Sequence, residues 1–256
     1  MLEAQALLSV RGLSKRFGAF QAVQDVTFDV EQGEIVGLVG PNGAGKTTLF
    51  NCVTGNLRGD TGTVEFDGRD LRRTPSYKRA RLGIGRTFQR VEVFPELSVR
   101  RHLLVAIRAR SGEGSVLKDL CGLNHATSQE QTKADEILEL VGVAGDAETP
   151  VAALGLGTCR LVELARALAT EPRLLMADEP SSGLDTKETA DLAKVLRSVQ
   201  QDRGMAFLLV EHDLRMVSDV VDRVLVMDLG GLISHGTFDE VMADPPVRRA
   251  YLGQSD

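Results

Sequence analysis

The sequence predicts an α/β fold: a mostly parallel sheet flanked by helices, with an antiparallel β subdomain and an inserted α-helical subdomain. Residues 34–39 form an apolar run that leads into a glycine-rich turn and then into a helical segment near residue 48. Two further apolar runs, residues 174–177 and 206–210, are each followed directly by charged residues. Apolar strands that alternate with helices are typical of a doubly wound parallel core.

The strands before and after the glycine-rich turn have a different pattern. Apolar residues alternate with polar ones over residues 8–10 and 26–30, which is the period of half-buried strands. Residues 63–66 have the same character, and Asp67 and Gly68 follow them as a tight-turn pair. These segments predict the antiparallel β subdomain.

The middle of the chain is predicted to be helical. Leu103, Leu104 and Ile107 share one face of a helix over residues 98–110, and a polar loop follows to about residue 128. The pattern Ser128–x–x–Gln131 predicts a capping box that opens a helix ending near residue 141. We therefore divide the single domain, 1–256, into an α/β core (1–88 and 160–256) and a helical subdomain (89–159).

Two later segments complete the core. A helix is predicted over residues 161–169, and Thr237 with Glu240 predicts a second capping box near the end of the chain.

Composition limits the possible functions. The 256 residues carry a formal net charge of −6, so no global basic field favours nucleic acid as a partner. The three cysteines, at positions 52, 121 and 159, form neither a metal-binding pattern nor a disulfide framework, which suits a reducing compartment. The N-terminus does not resemble a signal peptide, and no apolar run approaches the ~20 residues that span a bilayer. We expect any association with a membrane to be peripheral.

The glycine-rich turn fits the phosphate-loop pattern G-x-x-x-x-G-K-[ST]. Its residues are Gly40, Pro41, Asn42, Gly43, Ala44, Gly45, Lys46, Thr47 and Thr48. Placed between a strand and a helix, backbone N–H groups of such a turn surround phosphate oxygens at the positive end of the helix dipole. Lys46 is expected to reach the β- and γ-phosphates, and the Thr47 hydroxyl to ligate Mg²⁺. This motif predicts binding of a nucleoside triphosphate.

Residues at the ends of two apolar strands predict hydrolysis. Asp178 ends one strand and is placed to hold Mg²⁺ through water, and Glu179 is free to polarise the attacking water. His212, at the end of the next strand, is placed to contact the γ-phosphate. A kinase would need an acceptor site, and a GTPase would need an N-K-x-D element, which the sequence lacks.

In this order of motifs the sequence resembles the nucleotide-binding subunits of ABC transporters. Phe17 matches the aromatic residue that stacks on adenine, Gln89 the glutamine that senses Mg²⁺ and the membrane partner, and residues 182–185, ending in Asp185, the D-loop. The resemblance covers nearly the whole chain and implies that Glu179 and His212 are catalytic. It also implies ATP and Mg²⁺ as cofactors, with Thr47, Gln89 and Asp178 around the metal.

One family motif departs from its usual form. The signature, usually L-S-G-G-Q, falls on residues 154–158, where Gly157 is kept but Gly155 replaces the serine and Thr158 replaces the glutamine. In the family this serine donates to the γ-phosphate of the ATP that the other subunit holds. Loss of a hydroxyl donor to a charged phosphate costs on the order of 1.5–3 kcal/mol.

A narrower resemblance is to the larger ATP-binding subunit of branched-chain amino acid importers. It rests on residues 83–89, the one-glycine signature and the ending at residues 246–253. It implies a second ATPase subunit, or a second copy of this chain, two integral-membrane permeases and, indirectly, an extracytoplasmic substrate-binding protein, with the chain at the cytoplasmic face of the membrane. Urea or short-amide importers and lipopolysaccharide-type lipid transporters remain open.

Two further alternatives belong to other functional classes. A nucleic-acid or translation ATPase of the same superfamily would need coiled-coil arms, zinc modules or a second cassette, none of which the sequence contains. A catalytically silent regulatory subunit would fit the altered signature, but Lys46, Asp178, Glu179 and His212 are all retained. Residues after Gln89 are expected to line the groove for a permease helix. They are Arg90, Val91, Val93, Phe94 and Leu97.

Overall fold

The structure is a computed structural model that describes residues 6–87, 95–111 and 126–252. Its strands are β1 Leu8–Phe17, β2 Phe20–Val30, β3 Ile35–Val39, β4 Thr61–Phe66, β5 Arg69–Asp70, β6 Ile84–Arg86, β7 Leu174–Asp178, β8 Ala206–Val210, β9 Arg223–Asp228 and β10 Gly231–Gly236. Its α-helices are α1 Lys46–Thr54, α2 Ser76–Leu82, α3 Val99–Ser111, α4 Ser128–Leu140, α5 Leu156–Leu168, α6 Thr186–Arg203, α7 Leu214–Val220, α8 Phe238–Ala243 and α9 Pro245–Leu252. Short 3₁₀ helices cover Ala144–Asp146 and Val151–Ala153.

The strands form two sheets, as the alternation patterns predict. Four strands make an antiparallel sheet in the order β2-β1-β4-β5, and six make the second sheet in the order β10-β9-β3-β8-β7-β6. In the second sheet β10 pairs antiparallel with β9, and the other pairings are parallel. The predicted α/β fold class is therefore confirmed, with the antiparallel sheet and the helices as additional layers.

The central strands are continuous apolar runs because both faces of the parallel sheet are covered. On β3, Ile35 and Val39 pack into one core together with residues of α3 to α7. Val36 and Leu38, which point to the opposite face, pack into a second core with α1 and the antiparallel sheet. The carboxyl ends of β3, β7 and β8 thus lie between two apolar layers.

The helical segment differs from the sequence prediction at three boundaries. The capping box of α4 begins at Thr127, not Ser128: the Glu130 N–H donates to the Thr127 hydroxyl, and the Thr127 N–H donates to the Glu130 carboxylate. Helix α4 ends at Leu140, and α5 begins at Leu156, five residues before the predicted start. The capping box at Thr237 and Glu240 is confirmed.

Over the described ranges, none of the helices has both the length and the apolar character needed to cross a bilayer.

Candidate nucleotide-binding site

The phosphate loop connects β3 to α1, and its glycines adopt backbone conformations that other residues rarely accept. Gly43 and Gly45 have φ values of 84° and 101°. A Cβ atom on Gly45 would clash with the carbonyl oxygen of Ala22 on β2, whereas one on Gly43 would meet nothing within 4 Å. The loop is therefore packed on its β2 side and open at Gly43. No side chain caps the N-terminus of α1, so its first N–H groups are available to an anion.

Lys46, the first residue of α1, is buried in this loop. Its ammonium donates to the carbonyl oxygens of Gly40 at 2.6 Å and Pro41 at 3.1 Å. Burial lowers the pKa of Lys46, and the negative charges of Glu179 and Asp178 act in the opposite direction. A desolvated cation at the end of an uncapped helix is well suited to an anionic phosphate.

Asp178 is the last residue of β7, and Glu179 follows it with a different backbone conformation. Asp178 is 4% exposed. Burial raises its pKa, as does the charge of Glu179, while Arg86 and Lys46 lower it. Glu179 follows with φ of 49°, a left-handed conformation that costs a non-glycine residue about 1–3 kcal/mol. Its N–H still donates to Val210 of β8 at 2.8 Å. Asp178 thus ends the extended strand, whereas Glu179 has a left-handed backbone.

His212 lies beside this carboxylate pair, on the neighbouring strand. Asp178 is in register with Val210, so His212 is two residues beyond the point where β7 and β8 end together. Its side chain is 58% exposed. Its N–H donates to the Glu211 carboxylate at 3.1 Å, which fixes the backbone while the imidazole remains accessible. Lys46, Asp178, Glu179 and His212 thus meet at the same edge of the parallel sheet, where ligands of such folds bind.

Arg86, at the end of β6, is a member of this site that sequence reasoning did not single out. Its guanidinium lies 4.9 Å from the ring centroid of Phe50 on α1, and it donates to Asn51 at 3.4 Å. Its charge favours the ionised form of Asp178. The sequence offers little indication of a separate role for Arg86, because it stands three residues before Gln89 in the segment that carries the Gln89 motif. Gln89 itself lies outside the described residues.

The predicted metal ligands fit Mg²⁺ only together with the nucleotide. Within the described part of the chain, no cluster of three or more His, Cys, Asp or Glu side chains could hold a metal ion. Mg²⁺ prefers oxygen ligands and usually retains waters and substrate phosphates among them. The exposed Thr47 and the buried Asp178 carboxylate supply oxygens of this kind.

Phe17 is an exposed aromatic residue at the end of β1, where its side chain is 48% accessible. It pairs directly with Phe20 across the β1–β2 hairpin, and the Lys15 ammonium lies 5.6 Å from its ring centroid. The same hairpin packs Ala22 against the phosphate loop. An exposed ring therefore lies at the tip of the hairpin whose second strand, β2, packs on the phosphate loop.

The two signature glycines have different environments. Gly155 is the N-cap of α5, with φ of −70° and ψ of 163°, and a Cβ atom there would meet nothing within 4 Å. A Cβ atom on Gly157 would lie 2.6 Å from the carboxylate of Glu188 on α6. A side chain at position 157 would therefore have to displace the Glu188 side chain, whereas position 155 could hold a serine without strain. Thr158 is partly buried in the first turn of α5.

Asp185, at the end of the D-loop, has a structural role in addition to the one that the resemblance assigns. It is the N-cap of α6 and accepts from the Glu188 N–H at 2.8 Å, while Glu188 accepts from the Asp185 N–H at 3.0 Å. Glu188 also lies against Gly157, and a Cβ atom on Gly183 of the D-loop would lie 3.0 Å from the side chain of Leu156 on α5, so the D-loop lies close to the signature.

Comparison with known proteins decides the family. The family described as ABC transporter matches residues 23–182, more than half of the chain. The chain belongs to the ABC transporter family. A second description, branched-chain amino acid ATP-binding cassette transporter, matches residues 232–256.

Curated relatives and a solved structure agree with this assignment. The chain is 39% identical, over 98% of its length and 100% of the relative, to the high-affinity branched-chain amino acid transport ATP-binding protein LivG of Salmonella typhimurium. It is 36% identical, over 97% of its length and 98% of the relative, to the lipopolysaccharide export system ATP-binding protein LptB of Haemophilus influenzae. The ADP conformation of an ATP-binding cassette of an ABC transporter superposes with a TM-score of 0.86 at 31% identity, over 98% of this chain and 100% of that one. The chain is thus an ATPase cassette with a nucleotide site.

The described part of the chain also contains a cleft of about 890 Å³. Its walls come from α2 and β6 on one side and α3 and α5 on the other. Leu97, predicted to line the permease groove, is instead buried in the helical subdomain, because its carbonyl accepts from Val151 and its side chain joins the core. The other four residues of that prediction, at positions 90, 91, 93 and 94, lie outside the described residues.

Proposed function

We propose that this cassette is the ATP-hydrolysing motor subunit of an importer for branched-chain amino acids. The observation that carries the proposal is the match of residues 232–256 to the family of branched-chain amino acid cassettes. This segment lies outside the phosphate loop, the Asp178–Glu179 pair and the signature, so ATP binding in general does not explain the match. The similarity to LivG over the whole length of both chains supports the same substrate class.

The second candidate is a lipid exporter of the lipopolysaccharide type, and the similarity to LptB is the observation that favours it. Urea or short-amide import is a further alternative within the same branch. A motor subunit does not contact the transported substrate. A transport assay therefore distinguishes these alternatives, whereas the nucleotide site does not.

We assign the residues of the site as follows. Gly43, Gly45 and Lys46 hold the phosphates of ATP, and Phe17 stacks on the adenine. Thr47 and Asp178, together with Gln89, hold Mg²⁺, which when bound neutralises phosphate charge. The buried ammonium of Lys46 and the dipole of α1 favour the same anion.

Glu179 acts as the base that accepts a proton from the attacking water, and His212 donates a hydrogen bond to the γ-phosphate. The backbone conformation changes between Asp178 and Glu179, and we assign the two side chains different functions.

The signature and the D-loop act across a dimer of cassettes. Gly155, Gly157, Thr158 and Asp185 face the ATP that the other cassette holds. That cassette is either a second, different ATPase subunit or another copy of this chain. Two integral-membrane permeases complete the motor at the cytoplasmic face of the membrane, and an extracytoplasmic binding protein delivers the amino acid.

The cleft between core and helical subdomain receives a permease segment. Its lining combines an apolar floor with the arginines at positions 81, 86, 110 and 166, against one acidic residue, Glu163. This balance fits a permease segment that carries acidic side chains on an apolar face.

Transport by the assembled protein tests the proposal. A tagged chain is purified from native membranes with its permeases and placed in vesicles that contain ATP. We expect uptake of radiolabelled leucine in the presence of the binding protein, and no uptake with Lys46→Ala. ATP-dependent uptake of urea without leucine, or co-purification with components of lipid export, would replace the first assignment by the corresponding alternative.

A further inference from the structure

Glu211 is a carboxylate inside the cassette to which nothing above gives a function. It follows β8 and is completely buried. In the described ranges 6–87, 95–111 and 126–252, no lysine or arginine forms an ion pair with it, and the nearest basic atom is Nδ1 of His212 at 3.9 Å. A buried carboxylate without a cation partner is costly unless hydrogen-bond donors surround it.

The donors around Glu211 come from two different segments. Ser181 donates twice, through its N–H to Oε1 at 2.9 Å and through its hydroxyl to Oε2 at 2.9 Å. The N–H groups of His212, at 3.1 Å, and Asp213 donate from the other side. Ser181 belongs to the loop that begins at Glu179, and His212 belongs to the loop after β8. Glu211 therefore joins the catalytic-carboxylate loop to the histidine loop.

The loop on the Ser181 side continues to the signature helix. The Ser182 N–H donates to the Glu179 carbonyl at 3.1 Å, and the Ser182 carbonyl accepts from the guanidinium of Arg160 on α5 at 3.3 Å. Arg160 is itself buried beside Glu163, with which it forms an ion pair at 3.1 Å. A continuous set of hydrogen-bonded residues thus runs from the helix that carries the signature to His212.

We propose that Glu211 is a positioning residue that holds His212 in place relative to residues 181–182. Through Arg160, Glu211 also couples the binding of the partner's ATP at the signature to ATP hydrolysis at this chain's own site. The proposal rests on the proposed function, because only in a dimer do the signature and His212 face different ATP molecules. Movement of the D-loop when the partner's ATP is bound or lost changes the position of Ser181. The four donors on the Glu211 carboxylate pass that change to the backbone of His212.

Removal of one hydroxyl tests the connection with little disturbance. Ser181→Ala deletes the Ser181 hydroxyl bond and keeps the backbone bond to Glu211. We expect kcat for ATP hydrolysis by the assembled transporter to fall about tenfold, with the Kd for ATP of the purified chain unchanged within about twofold. Ser218→Ala is the matched control: it removes an exposed hydroxyl on α7 that bonds only to the Arg215 carbonyl, and its kcat should equal that of the wild type.

A double-mutant cycle separates positioning of His212 from general stabilisation. In a His212→Ala background, with the residual rate measured by release of radiolabelled phosphate, Ser181→Ala should have no further effect. Glu211→Gln should reproduce the loss of Ser181→Ala and show the same non-additivity, because its amide group would place an N–H against a donor. If Glu211→Gln does not fold, the Ser181→Ala cycle alone decides.

Arg160→Lys tests the extension to the signature helix, since lysine keeps the positive charge beside Glu163 and lacks the second guanidinium nitrogen. It should lower the Hill coefficient for ATP toward 1, as should Ser181→Ala. An unchanged kcat for Ser181→Ala, or equal losses in the wild-type and His212→Ala backgrounds, would overturn the positioning role. Unchanged cooperativity in Arg160→Lys would overturn the coupling. If instead Lys46→Ala still bound ATP, the proposed function itself would fail.

Discussion

Position 155 offers the sharpest test of the altered signature. We predict that Gly155→Ser raises the ATPase rate of the purified chain paired with itself. The N-cap backbone at φ −70° and ψ 163° suits serine, and a Cβ atom meets no neighbour, so the substitution should cause no strain. A hydroxyl that donates to a charged phosphate contributes on the order of 1.5–3 kcal/mol. If about 1.4 kcal/mol of this is expressed in the transition state, the rate rises about tenfold.

The assay is phosphate release by the purified chain over a range of protein concentrations that includes self-association. The Kd for ATP of the monomer should not change, because the new hydroxyl acts on ATP in the other subunit. Gly155→Ala controls for the added Cβ atom and should give no gain. Gly145→Ser adds the same side chain at another exposed glycine with free space around it, and should also have no effect. Rapid ATP hydrolysis by the unmodified chain, with no increase in rate from Gly155→Ser, would refute the reasoning. It would show that Gly157 and the N-terminus of α5 suffice to support hydrolysis at the other subunit.

Three other predictions follow from the site and from the helical subdomain. Glu179→Gln should keep ATP binding but slow hydrolysis by about 10²–10⁴-fold in the assembled transporter, because an amide cannot accept the proton of the attacking water; normal turnover would remove Glu179 from the mechanism. Lys46→Ala should abolish ATP binding in a nucleotide titration of the purified chain, and near-native affinity would mean that the glycine-rich loop does not hold the phosphates. Hydrogen bonds from Arg108 lower the pKa of Glu130 to about 2, so the stabilisation that this carboxylate supplies is complete above its ordinary pKa and is lost as the pH falls toward about 2. The difference in free energy of unfolding between wild type and Glu130→Gln, on the order of 2 kcal/mol at pH 7, should therefore narrow in urea titrations below a pH of about 4.5, and a constant difference down to a pH of about 3 would contradict the ion-pair account.

Much of the fold followed from the sequence because local pattern and burial agree there. The apolar runs of β3, β7 and β8 are buried on both sheet faces, and the glycine spacing before Lys46 has a strict conformational cause. Boundaries in the helical subdomain were less predictable. Thr127 and Ser128 both stand three residues before a Glu or Gln, so the local sequence does not distinguish the two candidate N-caps. The capping box at Thr127 uses Glu130, which also contacts Arg108, 22 residues away.

The site was predictable where one segment supplies a recognisable motif and unpredictable where distant segments meet. Asp178 and Glu179 are read from the end of a single strand. Glu211 has an equally simple sequence context, but its importance depends on Ser181, which lies 30 residues earlier in the chain. Arg86 likewise reaches α1 across the sheet, 35 residues from Asn51. Such contacts are set by topology, and the local sequence does not encode them.

The environment of Gly155 also bears on why the signature differs from its family form. A side chain at position 157 would displace Glu188, the partner of Asp185 in the capping box of α6, so packing within this chain disfavours replacement of Gly157. No such constraint acts at position 155, where both the backbone and the free space would accept a serine. The fold therefore does not exclude the hydroxyl, and in the proposed dimer its absence would affect only the ATP of the other cassette. A partner cassette with an intact signature would complete the site at Lys46 and Glu179, while its own ATP would meet the glycine here. The two ATP sites of such a pair would then hydrolyse at different rates, and the faster site would be the one built on this chain's phosphate loop.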